Sequence, residues 1–235
     1  MRVWDIHPGY LNRESLLGEH REVHAILSII INHKSGYACH PETMRWRGCL
    51  GALVFRHDCL VEEIRFRGYR HLSPAPDIPG SPWPKVFINP PAGQFFILEQ
   101  KYRMKQPGRI PLPRNAQQLW AHHKYSVMAR DTELYNSIGP EAARRKGRDY
   151  FEGLALNLVG ALRVNPKGGR LLNALQHMWG YVSSLGFETN SPPGDLLELI
   201  AEIQRRSLLY RVHYLLESTG LTDLAYWAHR QGKGP

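Results

Sequence analysis

The chain divides first by the spacing of its apolar positions. From Arg13 to about Ile31, apolar residues at Leu16, Val23, Leu27 and Ile30 recur at helical spacing, and Asn12 is placed to cap the first turn. The run from Lys34 to Pro41, which contains Gly36 and ends His40-Pro41, breaks that pattern. Leu50, Val54, His57, Val61 and Ile64 then mark a second long helix, which Gly68 would close. Between Leu72 and Gln94 stand seven prolines, too many for a continuous helix or a central strand. Trp83, Val86, Phe87 and Ile88 among them predict a strap lying on the surface of a domain instead of a free linker. A further helical region begins near Asn115. More helices are predicted over 140–162, 169–184, 195–209 and 210–217, separated by Asn165-Pro166, Gly168-Gly169 and Ser191-Pro192-Pro193-Gly194, before a polar tail from Arg230 to Pro235. The expected fold is mainly α: two helical domains, residues 1–72 and 115–235, joined by a proline-rich connector over 73–114.

Composition narrows the class. A hydrophobic content of 43% excludes a disordered chain, and 235 residues suffice for one large core or two small ones. No apolar run reaches the roughly 20 residues that cross a bilayer, and the start Met-Arg-Val-Trp lacks the apolar stretch of a secretory signal. A soluble, cytoplasmic protein is expected. Cys39, Cys49 and Cys59 are odd in number and form no C-x-x-C pair, so they are expected to be reduced thiols. Thirty Lys and Arg against 21 Asp and Glu give a formal charge of +9, which draws a protein towards nucleic acid or an anionic membrane surface without choosing between them.

The first helix carries the candidate chemistry. Gly18, Glu22, Ala25 and Ile29 share a stripe, so the Glu22 carboxylate sits between small residues that leave room for a bulky ligand. Arg21 is its neighbour. His20 and His24, one turn apart on an adjoining stripe, have the spacing of a helical metal pair, but no HExxH pattern or evident third ligand accompanies them. No metal and no organic cofactor is therefore expected, and these histidines are taken as surface or DNA-facing. Arg45, Arg47, Arg56, Arg65, Arg67 and Arg70 recur with Trp46, Phe66 and Tyr69 interleaved, a composition in which some arginines contact phosphate and others form a wet face. His122, His123 and His177 are expected to be half-buried polar partners, and Trp120, Met128, Met178 and Trp179 core.

The segment Leu16-Leu17-Gly18-Glu19-His20-Arg21-Glu22-Val23, close behind Met1-Arg2-Val3-Trp4 and His7-Pro8-x-Tyr10-Leu11, resembles the pyrimidine-dimer DNA glycosylases of the phage endonuclease V type. Gly36-Tyr37-x-x-His40-Pro41 and, more loosely, 60–69 extend the likeness over about the first 72 residues. The resemblance implies a DNA-repair glycosylase with abasic-site lyase activity that flips a damaged nucleotide out of double-stranded DNA. In such enzymes the α-amine attacks the sugar C1′, expels the base and forms a Schiff base that permits strand cleavage. An α-amine of pKa about 8 is about a tenth neutral at pH 7, whereas a lysine near 10.4 is neutral only about once in a few thousand molecules. The resemblance maps the nucleophile onto Met1 and the acid/base onto Glu22, 21 positions later, with Arg2 and Arg21 matching the family's phosphate-contacting arginines; His20, His24, His40, Arg45 and Arg47 are further expected DNA contacts. Arg2 is too large a second residue to favour removal of the initiator, so Met1 keeps its place. One turn beyond Glu22 stands Ala25, where the family has an arginine. Damaged or abasic DNA is the implied partner, with no membrane partner and a nucleoid-associated location.

Leu119 to Ala129 and Asn173 to Tyr181 resemble the YbgA-like domain of unknown function, over about 115–223. That likeness implies no reaction. It makes Lys124, Gln176 and His177 candidate contacts and the second domain a candidate site for a protein partner. The rival reading is a non-catalytic nucleic-acid-binding module whose helical second domain recruits that partner.

Overall fold

In the computed structural model, which describes residues 1–186 and 191–231, the chain is all helical: eleven α-helices and one short 3-10 turn, with no strand among the described residues. No described helix is long and apolar enough to cross a membrane. The chain separates into two compact units, residues 1–108 and 109–235. The end of the polar tail, residues 232–235, lies outside the described residues.

The first unit begins extended, passes through a 3-10 turn at Pro8–Tyr10, and enters α1 (Arg13–Ile31), α2 (Pro41–Trp46), α3 (Leu50–Phe66) and α4 (Pro91–Tyr102). Asn12 caps α1 as its residue type predicts, its side chain accepting from the Ser15 N–H. His7-Pro8 and His40-Pro41 turn out to be the same device used twice. In each, the histidine Nδ1 accepts a backbone N–H two residues on, and proline fills the first helical position, where no N–H is needed. Gly68, with φ +77°, follows the end of α3 in the left-handed region. The core of the unit is apolar where α1 meets α3: Leu16, Val23, Ile26, Leu53 and Leu60 are fully buried.

The proline-rich segment is a strap, as its aromatic residues suggested, but it also holds a helix that the spacing did not predict. Ser81 Oγ accepts the N–H of Ala52, a first-turn donor of α3 that Cys49 leaves without a side-chain cap. A Cβ on Gly51 would land 2.1 Å from the Pro79 carbonyl oxygen, so only glycine lets the strap cross α3 there. Trp83 packs edge-on against Phe55 and tilted against Trp46. The helix α4 then starts at the Pro90-Pro91 pair, because proline is well suited to a first turn.

The second unit contains α5 (Ala116–Met128), α6 (Thr132–Arg144), α7 (Arg148–Leu162), α8 (Arg170–Trp179), α9 (Leu196–Leu209), α10 (His213–Leu216) and α11 (Gly220–Gln231). Helix α5 is central, packed against α6, α7, α8 and α11. Asn115 caps α5, near which a helix was expected to begin, and Asp195, expected as the first residue of a helix, caps α9. Just beyond α5, the buried Arg130 is clamped bidentately by Asp223 of α11 at 2.8 Å for each bond. The stretch expected as one helix over 140–162 is two, because Gly147 at φ +111° breaks the chain between α6 and α7.

Candidate active site

The N-terminal segment has no secondary structure of its own, so its backbone donors must find other partners. Four consecutive N–H groups are taken by side chains from three helices. Val3 donates to Glu42 of α2 at 3.1 Å, and Trp4 to Glu19 of α1 at 3.0 Å. Asp5 and Ile6 both donate to the side-chain oxygen of Gln94 on α4, at 2.8 and 3.4 Å. Each acceptor is itself held. Glu19, 2% exposed, receives two bonds of 2.7 and 2.8 Å from Arg56 of α3, whose third donor reaches the Ile6 carbonyl. Burial pushes the Glu19 carboxyl up while Arg56 and the Trp4 N–H pull it down; with two charge-assisted bonds in place, the ionised pair is the form this geometry fits. Glu42 receives Arg45, which also bonds Asp5 and the Val86 carbonyl of the strap. Gln94 donates to Asp5 and to the Asn89 carbonyl. Each N–H of residues 3–6, and the Ile6 carbonyl, is therefore held by a side chain.

This places the first residues at a cleft of about 220 Å³, lined among others by Met1, Arg2, His40, Glu42, Arg45 and Asn89. The Arg2 guanidinium lies over the Trp4 ring at 4.8 Å from its centroid. Arg2 also adds to the positive surroundings that, after burial and Lys105, hold the pKa of Lys101 down. His40, with Nδ1 committed to the Glu42 N–H, keeps its proton on Nε2 in the neutral ring. On the other flank of α2, a second cleft of about 500 Å³ is lined by Lys34, Thr43 and Arg47. Thr43 connects the two, its hydroxyl 3.9 Å from the Met1 sulfur.

Not every residue singled out from the sequence meets there. Met1, Arg2, His40 and Arg45 line one cleft and Arg47 the other. Glu22 is half-buried on α1 and is not among the residues lining either cleft; a Cβ on Gly18, one turn earlier, would meet nothing within 4 Å, so the space predicted beside the carboxylate is there. Arg21 is exposed.

Three expectations need correction. Arg45 is no free phosphate contact: its side chain is 2% exposed and committed to Asp5, Glu42 and Val86. Arg56 and Arg67 likewise point inward, Arg56 to Glu19 and Arg67 to Glu63 and the carbonyls of Pro8, Gly9 and Leu11. The fork of a guanidinium suits convergent carbonyls and carboxylates as well as phosphate. His20 and His24 do not face outward as DNA contacts, because their stripe of α1 turns toward α3 and the strap. There they meet His57 and His71, ring centroids 4.7 to 5.3 Å apart. Burial pushes the pKa of His20 down to about 4, which keeps that ring neutral at pH 7, and shifts His24 and His71 toward the neutral form.

Residues 1–77 match the pyrimidine dimer DNA glycosylase family. The first unit thus contains a DNA-repair glycosylase-like domain, and the match opens at Met1, at the head of the pinned segment. It includes Glu19, Glu22, Arg45 and Arg56 but stops short of Gln94, so part of what holds the N-terminus of this glycosylase-like domain comes from outside the matched region. Residues 124–219 match a family described as protein of unknown function, DUF1722. Within it the half-buried ammonium of Lys124 sits over the rings of Tyr125, Tyr214 and Tyr181, at 4.6, 4.5 and 5.8 Å. Gln176 and His177 are exposed on α8. No match was found among curated proteins or among solved structures.

Proposed function

We propose that the first unit is a DNA-repair glycosylase with abasic-site lyase activity, acting on a damaged, pyrimidine-dimer-like nucleotide in double-stranded DNA. The observation that carries this reading is the fixed N-terminal segment. Four N–H bonds to side-chain acceptors hold residues 3–6 and so hold the two residues before them, Met1 and Arg2, at the cleft they line. Binding DNA needs no such device; presenting an α-amine to a sugar carbon does, because effective concentration depends on a fixed approach.

In the proposed reaction the damaged nucleotide is flipped from the stack. The neutral Met1 α-amine attacks C1′, the bond from C1′ to the base nitrogen breaks, and the base leaves with the electron pair. Glu22 stabilises the positive charge that develops on the sugar. It then moves protons as the ring opens to a Schiff base between the amine and C1′, and as loss of a C2′ proton expels the 3′ phosphate by β-elimination. Arg2, Arg21, His40 and Arg47 hold phosphates, and the excess of basic residues draws the duplex in. The second unit is proposed as a site for a protein partner.

Borohydride separates this enzyme from a non-catalytic nucleic-acid binder. Incubated with an abasic duplex and borohydride, the full-length protein should become covalently attached to the DNA. A protein that shifts the duplex in a gel yet leaves no adduct would be the rival binding module.

A further inference from the structure

Four histidines from three parts of the chain converge on one point, and no step of the proposed reaction uses them. His20 and His24 come from successive turns of α1, His57 from the buried face of α3, and His71 from the start of the strap. One ring nitrogen from each can be chosen so that all four lie within 4.8 Å of one another. We propose that His20, His24, His57 and His71 are the ligands of a zinc-class divalent metal ion that fastens the strap to α1 and α3.

A tetrahedral zinc site with bonds of about 2.0–2.1 Å requires its donor nitrogens to be about 3.4 Å apart. The Nε2 atoms of His20 and His71 are already 3.1 Å apart. The other donor nitrogens, all within 4.8 Å of one another, have at most about 1.4 Å to close, a shift of rotamer scale. Two of the rings carry a further sign. His24 Nε2 is sealed from solvent and makes no hydrogen bond of normal geometry, although the Ser73 carbonyl lies near enough to the ring to favour its charged form; a buried polar atom so placed is relieved by a cation. His57, 2% exposed, has an oxygen at each nitrogen: Asp58 Oδ1 at 2.9 Å from Nδ1 and the Ser73 carbonyl at 3.2 Å from Nε2. A neutral ring has one N–H and cannot donate to both. With Nδ1–H donated to Asp58, His57 has the carboxylate–histidine arrangement that orients metal-binding imidazoles, and its Nε2 lone pair is left for the ion.

Charge and chemistry select the ion. Neutral imidazoles without a carboxylate or thiolate donor suit zinc, copper or nickel and do not suit magnesium or calcium, and a four-coordinate set closed on all sides is that of a structural zinc. Asp58 supplies one negative charge beside the cluster, while Arg21 and Arg65 add positive potential around it. The affinity is therefore expected to fall below that of a cysteine-rich site. His20 and His24 lie on the opposite side of α1 from Glu22 and not on the adjoining stripe expected from the sequence, two residues being about 200° of helical turn. The ion would thus support the fold behind the proposed reaction and take no part in it.

The test is metal analysis of untagged full-length protein. One zinc per chain is expected, removable by chelator and restored by micromolar zinc(II). Its X-ray absorption should report four nitrogen neighbours at about 2.0–2.1 Å. His24→Gln and His71→Gln should each weaken zinc binding at least tenfold and Asp58→Asn about 10–100-fold, with His213→Gln in the second unit as an unchanged control. Failure to take up stoichiometric zinc at micromolar concentration would overturn the proposal, and so would uptake unaltered by both histidine variants. If those variants fail to fold, the wild-type spectrum decides, and fewer than three nitrogen neighbours refutes the site.

Discussion

Replacing Glu19 with glutamine keeps the shape of the side chain and removes the charge that Arg56 is built around. Arg56 would remain buried with its contact to the Ile6 carbonyl but without a counter-charge, and the new amide would direct N–H groups at it. Removing one partner of such a pair costs about 3–5 kcal/mol. That is a large part of the roughly 5–15 kcal/mol that a domain has. With a urea dependence of about 2 kcal/mol per molar, the unfolding midpoint of the first unit should fall by about 2 M. The loss should be concentrated where Glu19 acts. In hydrogen-exchange mass spectrometry, the peptide containing the Trp4 amide should lose about two to nearly four orders of magnitude of protection, at 1.36 kcal/mol per tenfold, while the peptide of α5 is unchanged. The double variant Glu19→Leu/Arg56→Met should cost no more than the single one, because the stranded charge is gone and only the Trp4 N–H and Ile6 carbonyl are left open. Additive losses, or a Glu19→Gln midpoint within 0.3 M of wild type (about the noise of such fits), would refute the view that this pair holds the N-terminal segment.

Three further outcomes are expected. Glu22→Gln should retain lesion binding while strand cleavage falls at least about a hundredfold, the lower end of acid–base contributions; full cleavage by this variant would remove Glu22 from the mechanism. Arg47→Ala should weaken DNA binding and flatten the slope of log K against log salt by about 1, whereas Arg45→Ala should act through unfolding of the first unit, so equal salt slopes in wild type and Arg47→Ala would remove Arg47 from the interface. The second unit should lose stability in acid: burial pushes His122 down to about 3 and His123 down to about 4. The folded state thus refuses protons that the unfolded chain takes up below about pH 6.5, so stability is intact above that value and falls as pH drops toward 4, by up to about 2 kcal/mol per ring at pH 5. His122→Gln should shrink the loss between pH 7 and pH 5, and an unchanged loss would contradict the assignment.

The sequence was most legible where local chemistry decides structure. Asn12, Asn115 and Asp195 mark helix starts because a cap needs only the residue and the turn it begins. Helix α4 was hidden by its prolines, which count against a helix in bulk and in favour of one at the first position. Helix α2, a turn and a half long, offered little periodicity to find, whereas α11 went unpredicted although Leu221, Leu224, Ala225 and Ala228 stand at helical spacing. The candidate site was legible in the order of its short motifs, but its supports were not. Glu19 and Arg56 are 37 residues apart, Asp5 and Gln94 89, and His20 and His71 51, and nothing local announces such pairs. For the same reason the arginines could not be sorted from sequence: buried Arg45 and exposed Arg47 are two positions apart, and only the fold decides which of them meets a carboxylate.

The proposed reaction turns on one atom, the α-nitrogen of Met1. Two preparations of the full-length protein, one starting at Met1 and one carrying a short tag before it, share the cleft, the arginines and Glu22 and differ only in that amine. Each is incubated with an abasic duplex and borohydride, and the adduct is digested and mapped by mass spectrometry. The protein starting at Met1 should be trapped through the Met1 nitrogen, and the tagged protein should bind the duplex but give little or no adduct. An adduct on a lysine such as Lys34, or equal trapping of both preparations, would contradict the assignment of Met1 as the nucleophile.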